Sequence, residues 1–130
     1  MHNVELKAHD RDPEATLSAA RTFAVDHGVL KQRDTYFAVE TGRLKLREQT
    51  GSPAQLIAYE RSEVAGERRS DYTVAEVDPD AARSGRAVTS VVVKRRHLLM
   101  YQNVRIHLDE VQGLGRFVES SRRLVEERRP

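Results

Sequence analysis

Arg43-Leu44-Lys45-Leu46-Arg47 alternates cation and leucine without a break, and the reading of this stretch decides the fold. Successive side chains of a β-strand point to opposite faces. As a strand, the stretch puts Arg43, Lys45 and Arg47 on one face and buries Leu44 and Leu46 on the other. Three like charges in a row repel one another unless water disperses them or an anion faces them. Other charges stand in similar patterns: Glu5-Leu6-Lys7 near the start, Lys94-Arg95-Arg96 later, then Asp109 and Glu119. Cations on alternating strand positions, with a few carboxylates among them, suggest a polyphosphate and its metal ion.

The composition sets the bounds. A chain of 130 residues fits one domain spanning 1–130. Charged residues make up 32% and mean hydropathy is −0.64, so the chain is unusually polar. The net charge is only +2, which gives nucleic acid no broad basic surface; function must come from how the charges are arranged. With no cysteine there are no disulfides, thiolate nucleophiles or cysteine-based zinc sites. No apolar run approaches the roughly 20 residues that span a bilayer. Nothing at Met1 resembles a signal peptide. The expectation is a cytoplasmic protein with neither membrane nor nucleic acid as partner.

One helix is well signalled. Asp12 suits the N-cap, Pro13 the first helical position, and Glu14 the positive end of the helix dipole. Leu17, Ala20 and Ala24 recur at helical spacing, Phe23 widens the stripe, and Gly28 is a natural stop. The spacing thus predicts one long N-terminal helix. Most of the rest reads as strands, over 29–39, 43–49, 54–62, 68–77, 88–101, 104–111 and 116–120. The expected turns are Thr41-Gly42, Gly51-Ser52-Pro53, Glu63 to Glu67 around Gly66, Gln102-Asn103, and Gly113 with Gly115. Asp78-Pro79 opens a short helical or irregular link reaching Gly85, and residues 120–130 read as a short charged helix or frayed tail. The fold class is α+β, mainly antiparallel β.

Val4, Leu6 and Ala8 alternate with Asn3, Glu5 and Lys7, and Val104, Ile106 and Leu108 with Arg105, His107 and Asp109. A solvated outer face explains each strand separately. A barrel with a hydrated interior explains them together, and alternation does not choose between the two. Glu5 beside Lys7 also reads as an ordinary surface pair, and Lys94-Arg95-Arg96 as a solvated edge. His107 reads as structural, and no histidine pair has zinc spacing. Oxygen ligands from different strands, such as Asp109 and Glu119, suit Mg²⁺, which takes one or two carboxylates plus phosphate oxygens. There is no glycine-rich phosphate loop, so any grip on phosphate rests on side chains.

Six segments occur in order: Val4-Glu5-Leu6-Lys7-Ala8, Gln32-Arg33-Asp34-Thr35-Tyr36-Phe37, Gly42-Arg43-Leu44-Lys45-Leu46-Arg47-Glu48, Val92-Val93-Lys94-Arg95-Arg96, Ile106-His107-Leu108-Asp109 and Gly113-Leu114-Gly115-Arg116-Phe117-Val118-Glu119. Over about residues 3–119 the series resembles the CYTH superfamily, or triphosphate tunnel metalloenzymes, most nearly its class IV adenylyl cyclase-like branch. The resemblance implies an antiparallel β-barrel tunnel that binds a small-molecule triphosphate with Mg²⁺ or Mn²⁺. It implies hydrolysis of inorganic, thiamine or nucleoside triphosphate, or cyclisation of ATP to cyclic AMP. It assigns phosphate binding to Lys7, Arg43, Lys45, Arg47, Lys94 and Arg96, metal binding to Glu5, Asp109 and Glu119, and catalytic roles to Lys7 and Asp109.

The sequence departs from the family at four points, one being residues 78–86, which are short for a stretch where relatives often carry a helix. Asn3 stands where the family's opening motif has its first Glu, and Ser121 where a further acidic residue is common. The chain also stops within about ten residues of Glu119, where relatives carry further helices. The alternative reading is therefore a non-catalytic nucleotide or polyphosphate binder with a degraded metal site. A monomer and a homodimer both remain open.

Overall fold

The computed structural model describes residues 2–64 and 67–124. Eight strands and two short helices follow one another: β1 (His2–His9), α1 (Pro13–Arg21), β2 (Val25–Phe37), β3 (Arg43–Gln49), β4 (Gln55–Val64), β5 (Glu67–Glu76), α2 (Pro79–Arg83), β6 (Val88–Tyr101), β7 (Val104–Val111) and β8 (Gly115–Leu124). All pairings are antiparallel and the sheet closes on itself in the order β1-β5-β4-β3-β2-β6-β7-β8. The closing seam runs from His2↔Leu124 to His9↔Phe117. Closure decides what alternation left open, because the polar rows of separate strands now face one another across an interior. Lys94-Arg95-Arg96 therefore lies not on an edge but between β2 and β7.

The apolar rows point outward, and the two helices cover part of them. Ala20 and Ala24 lie with Leu99 in one cluster, against Leu17, Ile106 and Leu108. Ala82 of α2 lies with Phe37 and Leu46 in a second, against Leu44, Ala54, Leu56 and Val77. Leu46 and Leu99 are fully buried, and each such leucine contributes about 1.5–3 kcal/mol of apolar burial. This core lies outside the barrel wall, which leaves the interior to polar side chains.

The predicted long helix is a correction. Asp12 caps α1 by accepting from the Ala15 N–H at 3.2 Å, with Pro13 at the first turn, but the helix ends at Arg21. The Thr22 hydroxyl and N–H both turn back to the Ala19 carbonyl, and β-branched Val25 already pairs with Met100 of β6. Phe23 leaves the helical stripe and lies edge-on to Tyr101, with ring centroids 5.5 Å apart. Gly28 is no helix stop: at φ 86° it sits in an irregularity of β2 between Asp26 and Val29, where Asp26 accepts its N–H. The last strand is longer than expected, since residues 120–124 pair with β1, and 120–122 with β7 as well, instead of forming a helix or tail. The rest of that tail, and the centre of the turn expected around Gly66, lie outside the described residues. The link after Asp78 is α2, capped by Asp78 on the Ala81 N–H at 2.9 Å.

Candidate functional site

Directly opposed residues share a face of the sheet, so the register tells which side chains meet inside. Asp34 lies opposite Arg47, Tyr36 opposite Lys45, and Gln32 opposite both Gln49 and Lys94. Arg96 lies opposite Asp109, His107 opposite Glu119, and Lys7 opposite Glu119 on its other side. The period-two rows of β1, β2, β3, β6, β7 and β8 thus converge on one polar interior.

Two clusters form there. The first centres on Asp34, which is fully buried. The Arg47 guanidinium donates to both its oxygens, Nε to Oδ1 at 2.9 Å and Nη2 to Oδ2 at 2.8 Å. The Nζ atoms of Lys45 and Lys94 each stand 3.5 Å from Oδ2. Burial works against the Asp34 charge, yet Arg47, Lys45 and Lys94 hold its carboxyl well below the usual range. Burial and the repulsion of Arg47 and Lys94 push Lys45 down to about 7, although Asp34 opposes them. Burial and Arg96 push Lys94 down to about 8. Lys45 also lies over the rings of Tyr59 and Tyr36, at 5.2 and 5.7 Å from their centroids.

The second cluster holds the remaining carboxylates. Arg96 grips Asp109 with Nε and Nη2, both at 2.9 Å, and its Nη2 lies 4.0 Å from Glu119 Oε1. His107 Nδ1 lies 2.9 Å from the same Glu119 oxygen, while Arg105 Nε donates to His107 Nε2 at 3.3 Å. That pattern assigns the neutral tautomer with its proton on Nδ1, donated to Glu119. Burial pushes His107 down, in keeping with a neutral ring. Burial works to raise Glu119, but the His107 hydrogen bond and Arg96 prevail and hold it at about 2. Glu5 has Arg61 Nε 3.6 Å from Oε2, an oxygen that is buried without a hydrogen bond. Lys7 lies 4.9 Å from the Phe117 ring centroid.

The structure thus brings together Lys45, Arg47 and Lys94, and separately Arg96, Asp109 and Glu119. Arg43 stands apart. It is exposed at the start of β3, opposite Tyr59, and makes no ion pair among the described residues. Three residues on the inward-facing rows were given no role by the sequence: buried Asp34 and the exposed Arg61 and Arg105. The signal for Arg105 lay in its own row with His107 and Asp109, and for Arg61 in its period-two spacing from Tyr59.

The donor set bears on whether a divalent ion suits this interior. Among the described residues, no three histidine or carboxylate side chains gather as a ready metal cage. Glu5 keeps one buried oxygen without a hydrogen bond, and among the described residues none reaches Glu119 Oε2. Two carboxylates, each with an oxygen that carries no hydrogen bond among the described residues, on the paired strands β1 and β8 fit an ion that completes its shell with phosphate oxygens and water, and Arg61 beside Glu5 would give way to it. Asp109 differs, since Arg96 occupies both its oxygens.

The family model of the CYTH domain matches residues 1–126. No curated protein matches the sequence. Among solved structures, a protein from Pyrococcus horikoshii OT3 shares 24% identity, with 95% of this chain and 80% of that chain covered at a TM-score of 0.80. A candidate adenylate cyclase from Vibrio parahaemolyticus shares 21%, covering 98% of this chain and 79% of that one, at 0.73. A Hippeastrum protein, described as a candidate adenylyl cyclase with a dominant triphosphatase activity, shares 14%, covering 95% and 80%, at 0.69. At these identities the likenesses speak to the fold. Among the described residues no helix is long and apolar enough to cross a membrane.

Proposed function

The chain belongs to the CYTH domain family, and from that premise we propose that its barrel binds a small-molecule triphosphate and cleaves it with the help of Mg²⁺ or Mn²⁺. The observation that carries this reading is the excess of cations inside the barrel. Lys45, Arg47 and Lys94 share the single carboxylate Asp34, and Lys7 and Arg105, solvent-exposed on the same inward-facing rows, add charge without a carboxylate bonded to them among the described residues. Such an interior is short of negative charge, and a triphosphate supplies it at high density.

Each residue group then has a task. Lys45, Arg47 and Lys94 neutralise phosphate oxygens from β3 and β6. Lys7 faces the phosphate to be transferred, beside Glu119. Glu5 and Glu119 would hold a divalent ion, which would supply charge neutralisation and orient the attacking oxygen. Asp109 accepts the proton of that oxygen when Arg96 exchanges it for phosphate. Cleavage needs no covalent enzyme intermediate, which suits a chain without a nucleophile signature. The dominant triphosphatase activity of the Hippeastrum relative supports hydrolysis over cyclisation.

A second reading, a binder without turnover, is favoured by the bidentate Arg96–Asp109 pair together with Asn3 and Ser121 at otherwise acidic positions. One experiment separates the two. Inorganic triphosphate, ATP and thiamine triphosphate are each incubated with protein and Mg²⁺ or Mn²⁺, and the products resolved by chromatography. Hydrolysis gives metal-dependent phosphate release that Glu5→Gln or Glu119→Gln abolishes. Tight binding without release under either metal would leave the binder.

A further inference from the structure

Among the described residues Asp34 is the most deeply buried charged one, and composition, spacing and resemblance give it no role. We propose that Asp34 is a positioning residue: it gathers Lys45, Arg47 and Lys94 from two strands into one preformed anion cradle. The inference rests on the triphosphate reading and goes beyond it by naming what sets the cradle's geometry and charge.

The geometry carries the point. β3 and β6 flank β2, and Asp34 on β2 faces residues from both. Its two oxygens fix the Arg47 fork by two hydrogen bonds, which sets the plane of the guanidinium. Its Oδ2 is at the same time the nearest carboxylate oxygen to both lysine nitrogens, at 3.5 Å each. Those distances lie beyond hydrogen-bond range, so each ammonium is attracted to Asp34 while its protons stay available to a ligand. One carboxylate against three cations leaves the cluster short of negative charge. An aspartate placed to neutralise would have been matched by others.

The charged and titratable groups facing this cluster are Lys45 and Arg47 from β3, Lys94 and Arg96 from β6, Tyr36 on β2 itself, Tyr59 from β4, Asp109 from β7 and Glu119 from β8. Asp34, Asp109 and Glu119 are the anions among them, and of these Asp34 alone lies within ion-pair distance of the two lysines. Without Asp34, the lysines would face Arg47 and Arg96 uncompensated and give up their protons at lower pH. The cradle would then be neutral in part at the pH where the anion arrives, and the Arg47 fork would lose its anchor.

The test uses inorganic triphosphate as probe and two readouts. The first is the titration of the Lys45 and Lys94 side-chain nitrogens by NMR, which needs no ligand. In Asp34→Asn both are expected to lose their protons about 1–3 pH units lower than in the unmodified protein. The second is calorimetric affinity against pH. Each unit of that shift costs about tenfold in affinity per lysine above its titration and little below it. The affinity profile therefore moves to lower pH rather than dropping uniformly, and Asp34→Glu restores part of it. Should Asp34→Asn fail to fold, Asp34→Asn/Lys94→Met removes one cation with the anion and leaves Lys45 to be read.

Unchanged lysine titrations, or a uniform loss of affinity at all pH values, would overturn the role of Asp34. Lysine titrations that shift in a protein that binds no triphosphate at any pH would overturn the triphosphate reading while upholding Asp34's hold on the two lysines.

Discussion

At the scale of single residues, the buried lysines link binding to protons. Lys45 stands at about 7 and Lys94 at about 8, because burial and neighbouring cations outweigh Asp34. A bound polyanion favours their charged forms, so binding near neutral pH takes up protons. Calorimetric titration with inorganic triphosphate at about pH 7.5 is expected to give heats that vary with the ionisation enthalpy of the buffer. Affinity should then fall by up to about tenfold per pH unit for each lysine as pH rises past these values. Buffer-independent heats would refute the link. The lysines were legible because period-two spacing is local: reading Arg43 to Arg47 already puts Lys45 on the charged face. Asp34 lies in the segment Gln32 to Phe37, where local spacing gives it no task. Its partners come from residues 45, 47 and 94, and nothing in Gln32-Arg33-Asp34 says which distant cations will surround it.

At the scale of elements, the strands owe their places to outward leucines and to tight turns. Leu46 is fully buried under α2, so Leu46→Ala is expected to cost about 2–5 kcal/mol in chemical denaturation. A smaller loss would mean that α2 closes over the gap. Gly42 turns the chain into β3 at φ 66°, and a Cβ there would lie 2.8 Å from the Tyr59 carbonyl oxygen. Gly42→Ala should therefore cost at least about 1–2 kcal/mol from the left-handed backbone alone. A denaturation midpoint equal to that of the unmodified protein would refute this. The hairpin around Gly42 could be read from Thr41-Gly42 because turn chemistry is local. The length of α1 could not. Phe23, Ala24 and Gly28 satisfy the rules for a continuing helix and its stop, but Val25 pairs with Met100, some 75 positions away. Closing that long-range ladder outweighs three more residues of helical stripe. The same limit applies to β8, whose extension to Leu124 depends on His2 being available to pair.

At the scale of the whole molecule, the charge arrangement sets folding and binding against each other as pH changes. A lysine whose folded value lies below its unfolded 10.5 binds fewer protons when folded. Stability therefore rises with pH from about 7 toward 10, since the unfolded chain holds more protons there. Glu119 acts at the other end. Its folded value of about 2 lies below the ordinary 4.5, so its contribution is complete above 4.5 and is lost as pH falls toward 2. The lysines therefore place the most stable empty barrel on the alkaline side of neutrality, and Glu119 removes stability only in acid. A polyanion draws the opposite way, because it binds the protonated lysines. Thermal unfolding of the empty protein is thus expected to move to higher temperature between about pH 6.5 and 9, while the further rise on adding excess inorganic triphosphate shrinks over the same interval. This opposition separates a cradle of buried lysines from a merely basic surface, where exposed lysines stay charged throughout and the ligand's effect is level with pH. A ligand-induced shift that is constant or grows toward pH 9 would show that the anion is held by the arginines alone. Lys45 and Lys94 would then be structural partners of Asp34 rather than part of the grip.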